Sequence, residues 1–165
     1  MKKRGFPKDL KFGTYLPRRR GMSYIKVDDL SSALERFMNE YFSHNTVITT
    51  SDISSSDAAY IDGEYTAYLF RNIMSALDVS DKINISITTG AHSFTIAFSK
   101  CDGAFVIKDA ELIGRLVESA RLSGFSVSFV GNTVTFSAEL VRGKLVISAL
   151  TKAEFAEILE RVFFD

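Results

Sequence analysis

Cysteine occurs once in these 165 residues, at Cys101, and histidine twice, at His44 and His92. A single cysteine closes no internal disulfide, and one thiol with two imidazoles makes a Cys- or His-based zinc site unexpected. That usage points to a reducing, cytoplasmic compartment. Tryptophan is absent. No apolar run approaches the ~18–20 residues needed to span a bilayer, so the chain reads as soluble, with no membrane partner. The start, Met1-Lys2-Lys3-Arg4, is basic, but the apolar stretch of ~7–15 residues that a secretory signal needs does not follow. No internal repeat or low-complexity block is visible.

What is present suffices for one domain with a sizeable core: 46% of the residues are hydrophobic and 12% aromatic, a composition unlike that of disordered chains. The net charge is zero, but it is unevenly spread. Residues 1–20 hold eight basic side chains, including Arg18, Arg19 and Arg20, against the single Asp9, a net +7. The remainder, with 12 basic and 19 acidic residues, carries −7. Such an arm can approach an acidic protein, nucleic acid or acidic lipid. The plainer reading is a solvated arm resting on its own acidic body, since no platform of interleaved aromatic and basic residues is visible elsewhere in the sequence. Gly5, Pro7, Gly13, Pro17 and Gly21 punctuate the arm against long helix or strand. The expected division is a basic arm over residues 1–24 and a single domain over residues 25–165.

Within the domain, Val27, Leu30, Leu34, Phe37, Met38, Tyr41 and Phe42 recur at spacings of three and four and predict a helix, with Asp28 as its expected cap and a stop near His44-Asn45. Thr46 to Ile53 is rich in β-branched residues and reads as a strand. A second helix is expected over Gly63 to Leu77, burying Tyr65, Leu69, Ile73 and Ala76. Lys82 to Thr89 and Ser93 to Ser99 alternate as two strands of a hairpin. A third helix runs from Asp109 to Ser123 and stops at Gly124. A second hairpin follows, turning at Gly131-Asn132, then a last strand over Lys144 to Leu150. Thr151 and Glu154, in capping-box spacing, open a closing helix. Antiparallel strand groups interrupted by helices that need one sheet face to cover indicate an α+β fold: a two-layer α/β sandwich whose mixed, mainly antiparallel sheet is covered by helices on one face.

Few single residues suggest chemistry. His92 sits at a hairpin tip, where it is either a phosphoacceptor or base, or an ordinary loop histidine. His44 ends a helix and can interact with its dipole. Lys100 beside Cys101 could lower the thiol pKa, but no base partner is identifiable. Ser54-Ser55-Ser56 lacks a nucleophile-elbow context. Asp28, Asp29, Asp57 and Asp62 do not match the spacing of a calcium loop.

From Val27 to Leu140 the order of segments resembles the ATP-binding domain of histidine kinases and the wider gyrase/histidine-kinase superfamily. Tyr60-Ile61-Asp62-Gly63 occupies the turn before the helix that carries the family's N-L-L-x-N-A box, and R-N-I-M-S-A-L, Arg71 to Leu77, occupies the box. The final hairpin after Ser123-Gly124 is similar as well. The departures concern chemistry. With Asn72 on the first box asparagine, the second, the usual magnesium ligand, falls on Ala76, whose methyl group cannot coordinate a hard cation. The D-x-G-x-G segment falls on Ser99 to Gly103, so Ser99 replaces the adenine-binding aspartate. Sliding the register to Asp102-Gly103 leaves Ala104 and Phe105 where small residues are needed. Only Ala104 to Lys108 separate Gly103 from the third helix, too little chain for a lid over a triphosphate. The glycine-rich phosphate cradle is reduced to Gly114.

The resemblance thus implies a degenerate kinase-type ATPase domain without catalysis or cofactor, in which Asn72, Asp102 and Gly103 mark a vestigial nucleotide cleft. It lacks the paired helices with a phosphoacceptor histidine that a full kinase places before this domain, so self-phosphorylation is not expected. An interaction role in bacterial two-component signalling follows by analogy of fold, with Arg18, Arg19 and Arg20 meeting an acidic, response-regulator-like partner. Two alternatives stand beside it: an active ATP- and magnesium-binding kinase or ATPase with atypical ligands, and a nucleic-acid-associated protein working through the arm.

Overall fold

Large apolar side chains alternate with small polar ones along residues 83–100 and 133–141, and that alternation builds the centre of a sheet. The computed structural model describes residues 21–42, 46–51, 53, 57–75, 82–101, 110–130, 133–141 and 150–164. Its elements are β1 (Ser23–Lys26), α1 (Val27–Tyr41), β2 (Thr46–Ser51), β3 (Ala58–Ile61), α2 (Gly63–Ser75), β4 (Ile83–Thr89), β5 (Ser93–Lys100), α3 (Ala110–Ser123), β6 (Ser126–Val130), β7 (Thr133–Val141) and α4 (Lys152–Phe164). The strands form one sheet in the order β1-β3-β7-β5-β4-β2, with β6 also paired to β7. All pairings are antiparallel except β2 with β4.

Ile83, Ile85 and Ile87 of β4, Phe94, Ile96 and Phe98 of β5, and Val134, Phe136, Ala138 and Leu140 of β7 are buried on one sheet face. Each such large side chain contributes about 1.5–3 kcal/mol by leaving water. Phe98 stacks edge-on to Phe136 and reaches Phe70 of α2. On the other face Asn84 is exposed, while Ser86, Thr88, Thr95, Thr135 and Ser137 are half-buried. One covered face and one hydroxyl-rich, solvated face make a two-layer α+β sandwich with its helices on one side. Among the described residues, no helix is long and apolar enough to cross a membrane.

Two helix ends follow their sequence signals closely. The Thr151 hydroxyl accepts from the Glu154 amide at 3.1 Å, and the Glu154 carboxylate accepts from the Thr151 amide at 3.2 Å, a complete capping box. At the end of α3, the Phe125 and Gly124 amides both donate to the Ala120 carbonyl, at 2.8 and 3.1 Å, with Gly124 at φ +100°. A Cβ at Gly124 would stand 2.9 Å from the Met22 methyl and 3.0 Å from the Tyr60 carbonyl, so this turn also sets how closely α3 approaches β1 and β3.

The structure corrects three local expectations. Asp28 does not cap α1: Lys26 occupies the cap position with no side-chain bond, and Asp28 and Asp29 lie in the first turn, where their charge favours the helix dipole. Tyr65 is only half-buried, whereas Thr66 to Met74 are all buried. Residues 23–26 and 58–61 form strands that pair with each other; four residues are too few for a period to show. The expected helix stop at His44-Asn45, Ala76, the start of the third helix at Asp109, the Gly131-Asn132 turn and all but Leu150 of the expected last strand lie outside the described residues.

Candidate functional site

The entry of α2 is built around Asp62. Its Oδ1 accepts from the Glu64 and Tyr65 amides, both at 3.0 Å, satisfying two of the free donors of the first turn. Its own amide donates to the Ser123 carbonyl at 3.0 Å, tying the start of α2 to the end of α3. Asp62 is buried, and Oδ2 makes no hydrogen bond among the described residues. Burial therefore holds its carboxyl above the usual aspartate range. The Tyr65 and Glu64 amides pull the other way, the Glu64 charge adds to the rise, and the Gly21 amide opposes it more weakly.

One turn further, the chain is enclosed all round. Thr66, Ala67, Tyr68, Leu69, Phe70, Arg71, Asn72, Ile73 and Met74 are all buried, and Asn72 exposes 0% of its surface. A helix bordering an open cleft keeps one face accessible; a helix buried through nine consecutive residues does not. α2 packs against both α3 and α4, and its Phe70 reaches Phe98 of the sheet. Glu64, also 0% exposed, meets Arg161 of α4 through a two-pronged contact, Nη1 to Oε1 at 3.1 Å and Nη2 to Oε2 at 3.3 Å. The planar guanidinium fork matches a carboxylate in this geometry.

The other sequence candidates are dispersed. Asp102, Gly103, Ala76, His44, Ser54 to Ser56 and Arg18 to Arg20 lie outside the described residues. His92 is exposed in the β4–β5 turn, where its carbonyl accepts from the Leu140 amide at 2.9 Å. Cys101 is exposed and reduced. Asp57 is buried, its carbonyl accepting from the Val27 amide at 3.0 Å. Among the described residues, no group of three or more His, Cys, Asp or Glu side chains could hold a metal ion.

Two features escaped the sequence reading. The Glu64–Arg161 pair joins residues 97 positions apart, a separation that no local pattern reveals. Tyr24 and Tyr60, cross-strand neighbours on β1 and β3, hold their ring centroids 4.8 Å apart at a tilt of 47°, with 40% and 49% of their surfaces exposed. Lys26 is exposed on the same strand face as Tyr24, two residues on. Strand alternation would have put Tyr24 and Lys26 together, but Tyr60 joins them only through the β1–β3 register.

No protein-family model matches the chain, and no curated protein matches it. Solved structures do. The chain is similar to the cytoplasmic segment of histidine kinase QseC, with 14% identity over 75% of this chain and 80% of that one and a TM-score of 0.46. It is similar to the catalytic domain of histidine kinase ThkA, with 11% identity over 73% and 96% and a TM-score of 0.48. The histidine kinase AdeS of Acinetobacter baumannii matches at 11% identity over 77% and 70%, with a TM-score of 0.46. At such identities the likeness concerns fold alone.

Proposed function

We propose that this chain is a non-catalytic interaction domain on a degenerate histidine-kinase-type ATPase scaffold, serving bacterial signal transduction. The observation that carries this reading is the burial of α2 from Thr66 to Met74, which encloses Asn72. In the resembling family that helix borders the nucleotide, and here it offers no open face. Ala76 at the magnesium position and the five residues between Gly103 and Asp109 agree with it. The helix has become core.

The charge distribution supports an acidic partner. An arm of +7 raises the encounter rate with an acidic surface such as that of a response-regulator-like domain, and Arg18, Arg19 and Arg20 supply bidentate donors for carboxylates. Two titrations of the full chain test the proposal: poly-L-glutamate at increasing salt, and a magnesium-loaded ATP analogue. Salt-sensitive binding of the polyanion, lost in the triple Arg18→Ala, Arg19→Ala, Arg20→Ala variant, together with no uptake of nucleotide, is the expected outcome. Saturable uptake of the analogue overturns it in favour of an active ATP-binding protein.

One observation favours a second reading. The exposed Tyr24–Tyr60 pair, with Lys26 beside it and Arg18, Arg19 and Arg20 shortly before Tyr24 in the chain, supplies an aromatic surface on which a base of single-stranded nucleic acid could stack. That reading requires binding of a dT oligomer that falls steeply with salt and weakens in Tyr60→Ala. Binding of poly-L-glutamate but not of the oligomer removes it.

A further inference from the structure

Ser32, Glu35, Arg36, Asn39 and Glu40 recur at the three- and four-residue spacing of one helix face, and together they line an open groove of about 570 Å³ along α1. Glu35, Arg36 and Asn39 are exposed, and Ser32 and Glu40 are half-buried. The groove is on the most negative of the four described helices. α1 carries Asp28, Asp29, Glu35 and Glu40 against Arg36, a net −3, whereas α2 and α3 balance at zero and α4 carries −1. Residues 1–20, at net +7, are the segment of opposite sign. They enter the described fold at Gly21, whose φ of +84° turns the chain. From there β1 runs into α1 with no loop between them.

We propose that residues 1–20 dock in this groove of their own chain, so that an acidic partner must displace them to bind. The proposal rests on the arm being the partner-binding segment and adds what regulates it. Chain length permits the contact. Twenty residues extend to about 70 Å, while the path back along β1, about 13 Å, and over all of α1, about 22 Å, needs half of that. Charge selects the occupant: the arm's guanidinium forks fit the carboxylates of the groove, and a net −3 face repels nucleic acid and acidic protein alike. Tethering selects this chain's own arm over that of a second copy. A linked segment has an effective concentration on the order of millimolar at its site, which a free copy at micromolar concentration does not match. A partner then meets only the undocked fraction of arms, and its apparent affinity falls by that fraction.

A nitroxide label on the arm of the full chain, at Gly5→Cys with the exposed Cys101 changed to Ser, measures the contact by nuclear magnetic resonance. The expected result is a loss of signal at the Ser32, Glu35, Arg36, Asn39 and Glu40 amides, with Gly114 and Val117 of α3 unaffected. The loss disappears in about 1 M salt, where screening acts within ~3 Å. It also disappears in Glu35→Gln with Glu40→Gln, and on saturation with poly-L-glutamate. No loss at α1, or a loss that survives both substitutions, overturns the proposal. Equal loss in an unlabelled, isotope-enriched chain mixed with a labelled one overturns it too, by making the arm of a second copy the occupant. Poly-L-glutamate that binds without restoring the signals overturns the displacement. Absence of the contact in a chain that still binds poly-L-glutamate removes this proposal and keeps the function proposed above. An intact contact in a chain that binds none removes that function and keeps the docking.

Discussion

Arg161 of α4 grips the fully buried carboxylate of Glu64 near the start of α2 through contacts of 3.1 and 3.3 Å, and is itself 30% exposed. The pair fixes α4 to the start of α2. Removing only Arg161 leaves a negative charge in a site already stripped of water, which costs far more than the pair contributes as a whole.

Arg161→Ala is therefore expected to lower stability by on the order of 3 kcal/mol. Glu64→Gln with Arg161→Ala together should cost clearly less than the sum of the two single changes. Urea denaturation of the four proteins gives the coupling directly; additive losses would show that the two side chains do not act as a unit.

Asp62 makes stability depend on pH with a definite sign. Its carboxyl is held above its ordinary value of 3.8, first by burial, so the folded state favours the protonated form. The group's contribution is complete below the unfolded pKa and is lost as pH rises through the raised folded pKa. Asn caps helices as well as Asp and does not titrate. Asp62→Asn should thus gain stability relative to wild type as pH climbs from about 4 toward 7, with the difference levelling off above the folded pKa. Paired urea melts across that range measure it; a difference flat with pH would refute the assignment.

Gly124→Ala should cost roughly 1–3 kcal/mol, since φ +100° disfavours any side chain and the Tyr60 carbonyl stands 3.0 Å from the new Cβ. Thermal melts check this, and Gly114→Ala is the control: a Cβ at Gly114 meets nothing within 4 Å, and an exposed helix interior favours alanine by about 0.5–1 kcal/mol.

Phe37 is the aromatic hub between α1 and α4, with ring centroids 4.8 Å from Phe163, 5.0 Å from Tyr41, and 5.9 Å from Phe42 and Phe164. Phe37→Ala is expected to lose about 3–5 kcal/mol by emptying that volume, whereas Phe37→Leu should keep most of it. Equal losses in the two denaturation curves would argue against packing as the cause.

The sequence made legible whatever repeats within a few residues. The period of α1, both hairpins, the stop at Gly124 and the Thr151/Glu154 box all rest on neighbours in the chain. β1 and β3 were not legible, because four residues stabilised by each other across more than thirty carry no local period. The candidate site divided the same way. Placing Asn72 on α2 followed from the pattern, but its full burial is a property of the tertiary fold, and the Glu64–Arg161 contact exists only in the folded chain. The amphipathic reading of α2 also understated its burial: Thr66, Arg71 and Asn72 are polar residues that hydropathy assigns to water and packing places inside.

Whether α2 is core or cleft is the central question, and calorimetric titration of the full chain with a non-hydrolysable ATP analogue and Mg²⁺ answers it. The account predicts no saturable heat up to about 1 mM ligand and no shift in melting temperature. Magnesium-dependent binding tighter than about 1 mM, weakened in an Asn72→Ala variant that retains the wild-type circular dichroism, would contradict it.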